Sequence, residues 1–159
     1  MALEDDIAIL ARAPLLNLME QGALRLIAFA AEHRVLRRGE TLFKKGDRSD
    51  GGYVVTNGLI VVEGEQGVPP FLAEPGALIG QTALFARTTR AATATAREPS
   101  GVLRISPTLM RRVLEEFPTS AQAIHGALAI ELSTLSGGLE RVRKRLGAIE
   151  GSRPRRSSA

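Results

Sequence analysis

The run LRRGETLFKKGDRSDGGYVVTNG, Leu36–Gly58, decides the fold. Its apolar and β-branched residues come in clusters of a few positions, too short for helices. Each cluster stops at a turn-forming pair: Arg38-Gly39, Gly46-Asp47 or Asn57-Gly58. Runs bounded in this way predict strands near Arg34–Arg37, Thr41–Lys44 and Gly52–Thr56. Working outward, the same texture holds from residue 33 to 105. Further strands are predicted near Leu59–Glu63, Phe71–Glu74, Ala77–Ile79, Ala91–Ala96 and Gly101–Ile105, with turns at Gly64, Gly67 and Pro75-Gly76. Asn57-Gly58, between Tyr53–Thr56 and Leu59–Val62, predicts a two-residue hairpin. About eight short strands with regular turns predict a mainly β fold with flanking helices: a jelly-roll-like, double-sheet β-barrel, an arrangement that removes exposed edges.

Helical periodicity flanks the strands. Ile7, Leu10, Leu15, Leu18 and Met19, then Leu24, Ile27, Ala28 and Ala31, recur every three to four residues and predict helix over 5–31. Pro14 interrupts it, and Gly22 allows another break. Ser106-Pro107 predicts an N-cap and first turn, with Leu109, Val113, Leu114 and Phe117 on one face. Pro118 is expected to end that helix and Thr119 or Ser120 to cap the next. In the last helix, about residues 120–149, Leu128, Leu132, Leu135, Leu139, Val142, Leu146 and Ile149 are spaced alternately by four and three. That heptad seam suits helix pairing between two chains, so a homodimer through the C-terminal helix is expected. The plainer reading is an amphipathic helix lying on its own barrel. Gly137-Gly138 interrupts the seam at a cost of about 1 kcal/mol per glycine and predicts a bend or break. The resulting organisation is one domain over 1–149 (N-terminal helices 5–31, barrel 33–105, C-terminal helices 106–149) and a basic disordered tail over 150–159.

Composition narrows the chemistry. A chain of 159 residues with 44% hydrophobic and 24% charged residues is an ordinary globular length and mixture. The absence of cysteine removes disulfides, thiolate metal sites and thiol nucleophiles together, and fits a cytoplasmic protein. His33 and His125 are the only histidines and lie far apart in sequence, which disfavours a multi-histidine metal site. No apolar run reaches the roughly 18 residues of a membrane span. The acidic start, Met1 to Asp6, does not resemble a signal peptide. Much of the net charge of +4 is C-terminal, in Arg141, Arg143, Lys144, Arg145, Arg153, Arg155 and Arg156. No aromatic is interleaved there for base stacking, so a solvated helix end is the simpler reading than a nucleic-acid patch.

The chemically informative stretch is PGALIGQTALFARTTRAAT, Pro75–Thr93. A strand enters, Gly80 permits a tight turn, Gln81–Phe85 can make one helical turn, and Arg90 closes the loop before the next strand. The first turn of a helix leaves backbone N–H groups unpaired and aimed at an anion. Gly80 removes a Cβ from the ligand's approach. A guanidinium grips phosphate through a planar fork that lysine cannot reproduce. Alone, Arg90 reads equally as a solvated arginine at a strand start.

On these two stretches the sequence resembles the cyclic nucleotide-binding domain, the family of catabolite activator proteins, regulatory subunits of cyclic-AMP-dependent protein kinase and cyclic-nucleotide-gated channels. Leu36–Gly58 looks like its glycine-punctuated opening strands and Pro75–Thr93 like its phosphate-binding cassette; the likeness covers roughly residues 10–140. It implies a β-barrel with helices at both ends and Arg90 paired with the cyclic phosphate. It also implies that backbone amides of Gly80, Gln81, Thr82, Ala83 and Leu84, and of Ala91 and Ala92, line the same site, with Leu78 and Ile79 as its apolar wall. Gln81 departs from the family, which usually carries a glutamate there to accept from the ribose 2′-hydroxyl. A glutamine oxygen still accepts, but the lost charge weakens the bond by about 1 kcal/mol. Cyclic-GMP-selective members often follow the arginine with threonine or serine. Ala91 therefore favours cyclic AMP, with cyclic GMP as the alternative ligand. Ser133 and Thr134, with Ser136, lie where activator proteins place residues that reach the adenine, although they read equally as plain helix surface.

The function these readings predict is a cyclic-nucleotide sensor that passes a ligand-induced helix movement to a downstream protein. No catalytic set is visible, so no enzyme, cofactor or metal is expected. The few residues after Leu146 are too few for a DNA-reading module, so sequence-specific DNA binding is not expected. Two alternatives stand: an interaction module that keeps the fold with a degenerate pocket, motivated by Gln81, and a sensor domain excised from a channel or regulator, against which Met1 weighs.

Overall fold

In the computed structural model, which describes residues 3–131, helices cover one face of a two-sheet sandwich. The chain enters through α1 (Leu3–Leu10), a short 3-10 turn at Leu16–Leu18, and α2 (Gln21–Ala30). Eight strands follow among the described residues: β1 (Glu32–Leu36), β2 (Thr41–Phe43), β3 (Gly52–Asn57), β4 (Ile60–Glu63), β5 (Phe71–Ala73), β6 (Leu78–Ile79), β7 (Thr93–Ala96) and β8 (Ser100–Ile105). Then come α3 (Pro107–Glu116) and α4, described over 118–131. The heptad seam beyond Leu128, Ser133, Thr134, Gly137-Gly138 and the basic tail lie outside the described residues.

The strands form two antiparallel four-stranded sheets, ordered β1-β8-β3-β6 and β2-β7-β4-β5. Of the arrangements the turns predict, the double-sheet form is the one found; the two sheets do not close on each other into a barrel. The first sheet is buried on both faces, which is why β3 and β8 read as continuous apolar runs. Val54 and Leu103 point out to Leu10, Leu24, Ile27 and Met110 of the helical layer. Their neighbours Tyr53, Val55 and Val102 point in, to Ile60, Ala94 and Ala96 of the second sheet. The side-chain alternation of period 2 thus assigns one strand to two cores.

Three local expectations are corrected. Asn57-Gly58 does not close a hairpin: β3 pairs with β8 and β6, whereas β4 pairs with β5 and β7, so this turn carries the chain from one sheet to the other. The corner is held by Ser100, whose hydroxyl accepts from the Leu59 amide at 3.0 Å. Gly22 does not break the helix. It sits in the first turn of α2, where a Cβ would stand 2.9 Å from the Phe117 ring, so it makes room for packing. The break falls earlier, around Pro14. Pro118 ends α3 as expected: the helix stops at Glu116, and Phe117, the residue before the proline, leaves the helical region. Pro118 also opens α4, where its missing N–H and fixed φ suit a first turn. Ser120 is accordingly inside α4 and buried, and its hydroxyl accepts from the Glu20 amide at 2.9 Å, capping the start of α2 from across the fold. Ser106 behaves as the sequence predicts, accepting from the Leu109 amide at 3.1 Å at the head of α3.

Candidate functional site

The site forms where β6 gives out. Gly80 turns left-handed (φ 78°, ψ 53°), and a one-turn 3-10 helix, Gln81–Leu84, follows. The return loop is zipped to residues 46–49: the Ser49 amide donates to the Thr88 carbonyl at 2.7 Å and the Thr88 amide to Ser49 Oγ at 2.8 Å, while the Arg90 amide donates to the Asp47 carbonyl at 2.7 Å and the Gly46 amide to the Arg90 carbonyl at 2.8 Å. This clamp fixes where the Arg90 side chain starts.

Arg90 is 5% exposed. Its guanidinium carbon lies 4.0 Å from the Phe43 ring centroid and 5.5 Å from that of Tyr53, which holds the group flat and dry. Nη2 donates to the Gly51 carbonyl at 2.7 Å and to Asp50 Oδ1 at 3.1 Å. Nε is buried and has no partner among the described residues. Buried donors are nearly always satisfied, so an orphaned guanidinium N–H marks a place where an acceptor from outside belongs. A Cβ on Gly80 would stand 2.7 Å from Nη1, so only glycine lets the guanidinium lie against this turn.

Asp50 balances the buried charge. Burial pushes its carboxyl up, but the Tyr53 hydroxyl and the Arg34 and Arg104 charges outweigh that and hold it below the usual range. Tyr53 donates to Asp50 Oδ1 at 2.8 Å. Burial, then this bond and the Asp50 charge, push its phenol up to about 12. Arg34 adds a contact to Asp50 Oδ2 at 3.2 Å and to the Tyr53 hydroxyl at 2.9 Å. An ionised Asp50, a protonated Tyr53 and a charged Arg34 thus form a group that keeps Arg90 in place without occupying Nε.

The cleft in front of Arg90 has a volume of about 200 Å³. It brings together Ile79, Gly80, Gln81, Thr82, Ala83, Arg90, Ala91 and Ala92 of the residues singled out in the sequence. The amides of Gln81, Thr82, Ala91 and Ala92 bond to nothing else among the described residues. Leu78 and Leu84 are not on the wall. Leu78 pairs with Val54 and, by strand alternation, faces the helices while Ile79 faces the sandwich; Leu84 is fully buried in the same helical cluster. The strand expected over Ala91–Ala96 starts only at Thr93, and Ala91 and Ala92, ahead of it, line the cleft. The sequence reading missed Phe43, Val62, Thr88 and Thr89 on the wall and Asp50 and Tyr53 behind it. One signal was available: a buried arginine needs a carboxylate, and Asp50 sits in the same glycine-rich stretch. Gln81 reaches α4, its Nε2 donating to Glu131 Oε2 at 3.4 Å. Because a carboxylate only accepts, this contact turns the amide nitrogen to Glu131 and leaves Oε1 as the free acceptor.

A buried guanidinium with a spare N–H, four unpaired amides and an apolar flank can hold one compact anion joined to an apolar body. Among the described residues no group of His, Cys, Asp and Glu could hold a metal ion, and no helix is long and apolar enough to cross a membrane.

Comparison with known proteins agrees with this geometry. The family model of the cyclic nucleotide-binding domain matches residues 33–117, more than half of the chain. A cyclic nucleotide-binding-like protein from Brucella abortus is 39% identical over 70% of this chain and 98% of its own, with a TM-score of 0.61. The N-terminal domain of a transcriptional regulator from Streptomyces coelicolor is 27% identical over 82% of this chain and 94% of its own, with a TM-score of 0.73. The cAMP-bound PfPKA-R shares the fold at 19% identity and a TM-score of 0.61, over 70% of this chain and 41% of its own. No match is found among curated protein sequences.

Proposed function

The chain belongs to the cyclic nucleotide-binding domain family, and from that premise we propose that this regulatory module binds cyclic AMP and reports it through its last helix. One observation carries the reading: a buried Arg90 whose Nε has no partner among the described residues lines a cleft ringed by free amides. The cyclic phosphate supplies the acceptor that Nε lacks, and a phosphate oxygen gains a charge-assisted bond to a guanidinium already stripped of water. The amides of Gln81, Thr82, Ala91 and Ala92 receive the remaining oxygens, while Ile79 and Val62 pack against the ribose.

Gln81 Oε1 accepts from the ribose 2′-hydroxyl. That bond and the Glu131 contact share one side chain, so ligand and α4 compete for its orientation. Here lies the differential interaction that any ligand-driven shift requires. Ala91 brings no hydroxyl toward a guanine, which supports cyclic AMP over cyclic GMP, and the cAMP in PfPKA-R is in keeping with that choice. The module acts in the cytoplasm as a regulator without catalysis of its own, and passes the change to a partner protein, as a homodimer through the C-terminal helix. Ser133 and Thr134 are its candidate contacts to the base.

Isothermal titration with both nucleotides tests the reading: saturable binding is expected, tighter for cyclic AMP, and no heat with either would overturn it. The Gln81–Glu131 contact favours one alternative, an interaction module whose pocket is closed by its own helix. Thermal stabilisation by millimolar cyclic AMP would contradict that alternative.

A further inference from the structure

A second and larger cleft, about 630 Å³, adjoins the first through Asp50 and shares no lining residue with it. It opens between residues 48–50, residues 85–87 and the head of α3, and four arginines line it: Arg48, Arg87, Arg104 and Arg111. Among the described residues Asp50 is the only acidic one on its wall, and both oxygens of that carboxylate are already engaged, Oδ1 by Tyr53 and Arg90 and Oδ2 by Arg34. Arg48, Arg87 and Arg111 form no ion pair among the described residues. Arg104 spends Nη1 on the Asp50 carbonyl at 2.6 Å and Nη2 on Glu32 at 3.5 Å, and its Nε is buried without a partner.

Three guanidinium groups without an ion pair among the described residues thus gather along one concavity, beside an Arg104 already held by Glu32 and the Asp50 carbonyl, and like charges grouped in a cleft raise the local potential for anions. The positive end of the α3 dipole points the same way. Guanidinium forks match phosphoryl oxygens in geometry as well as charge. The concavity suits a compact molecule, unlike the flat basic face that a duplex would need. A single phosphate could satisfy one or two of these forks, whereas Arg48, Arg87 and Arg111, the three without an ion pair among the described residues, together call for more than one phosphoryl group in one ligand.

We propose that this cleft is a second anion site, separate from the Arg90 cradle, that binds a compact ligand carrying two or more phosphoryl groups. Two sources share that chemistry, an inorganic polyphosphate chain and the phosphate tail of a nucleoside triphosphate.

Isothermal titration of the whole chain with inorganic tripolyphosphate and with ATP, at about 150 mM salt to screen diffuse attraction, separates them. Saturable tripolyphosphate binding is expected, weakened at least about tenfold by Arg87→Ala with Arg111→Ala and retained in Arg90→Ala. Arg87 and Arg111 are exposed, so the double variant keeps the wild-type thermal midpoint. Equal affinities for the two probes assign the polyphosphate chain alone as the recognised part; tighter ATP binding assigns the nucleotide. The proposal is overturned by an absence of saturable heat, by sulfate binding as well as tripolyphosphate, by an unaffected double variant, or by a loss confined to Arg90→Ala. If Arg90→Ala does not fold, the double variant against wild type decides alone.

Discussion

At the scale of single residues, the account rests on how Arg90 is held. Phosphate-binding chemistry at this position is legible in the sequence because glycine, a short turn and arginine stand in one loop. Its support is less legible: the need for a carboxylate points to the glycine-rich stretch that holds Asp50, but Phe43 of β2, Tyr53 of β3 and Asp50 of the loop before β3 reach Arg90 only through tertiary pairing. Tyr53 gives a direct reading of that support. Burial and its bond to Asp50 favour the protonated phenol in the folded chain, so the stability it contributes is fully present below pH 10.0, its ordinary value, and is lost as pH rises through about 12. The chain has one tyrosine and no tryptophan, so absorbance titration reads this group alone. A native midpoint near 12 is expected, falling in Asp50→Asn; a native midpoint at 10.0 would break the network. Gly80→Ala tests the turn. It forces a left-handed alanine, costing about 1–2 kcal/mol, and sets a methyl against Arg90 Nη1. Lower stability in urea and weaker nucleotide binding are expected together.

Elements were more legible than their partners. Each strand read from the glycine-punctuated stretches exists within a residue or two of its expected place, because alternation and turn chemistry are local signals. Asn57-Gly58 misled because a turn signal says where a chain reverses and not which sheet receives it. Gly22 misled for a related reason: a residue that can break a helix can also sit in its first turn, and packing against Phe117 decided for Gly22. Ser120 belongs to this scale, since it ties α4 to the start of α2. Ser120→Ala leaves the Glu20 amide unpaired, and about 1 kcal/mol of stability should be lost in urea denaturation. An unchanged midpoint would mean that packing alone joins these helices.

Across the whole molecule, the helical layer, the doubly buried sheet and the outer sheet set the cradle beside α4, with Gln81 and Glu131 spanning the gap. The heptad spacing from Leu128 to Ile149 predicts that the chain is a dimer, so light scattering at micromolar concentration should give twice the chain mass; a monomer would remove the proposed route to a partner. Occupying the cradle should raise the melting temperature in proportion to the logarithm of cyclic AMP concentration. The central claim, that the cradle takes a cyclic phosphate on Arg90, is tested most directly by titrating cyclic AMP into wild type and Arg90→Ala. Removing the buried phosphate partner should weaken binding by about 2–5 kcal/mol while Asp50 keeps Arg34 and Tyr53. Equal affinity in a folded Arg90→Ala protein would contradict the account.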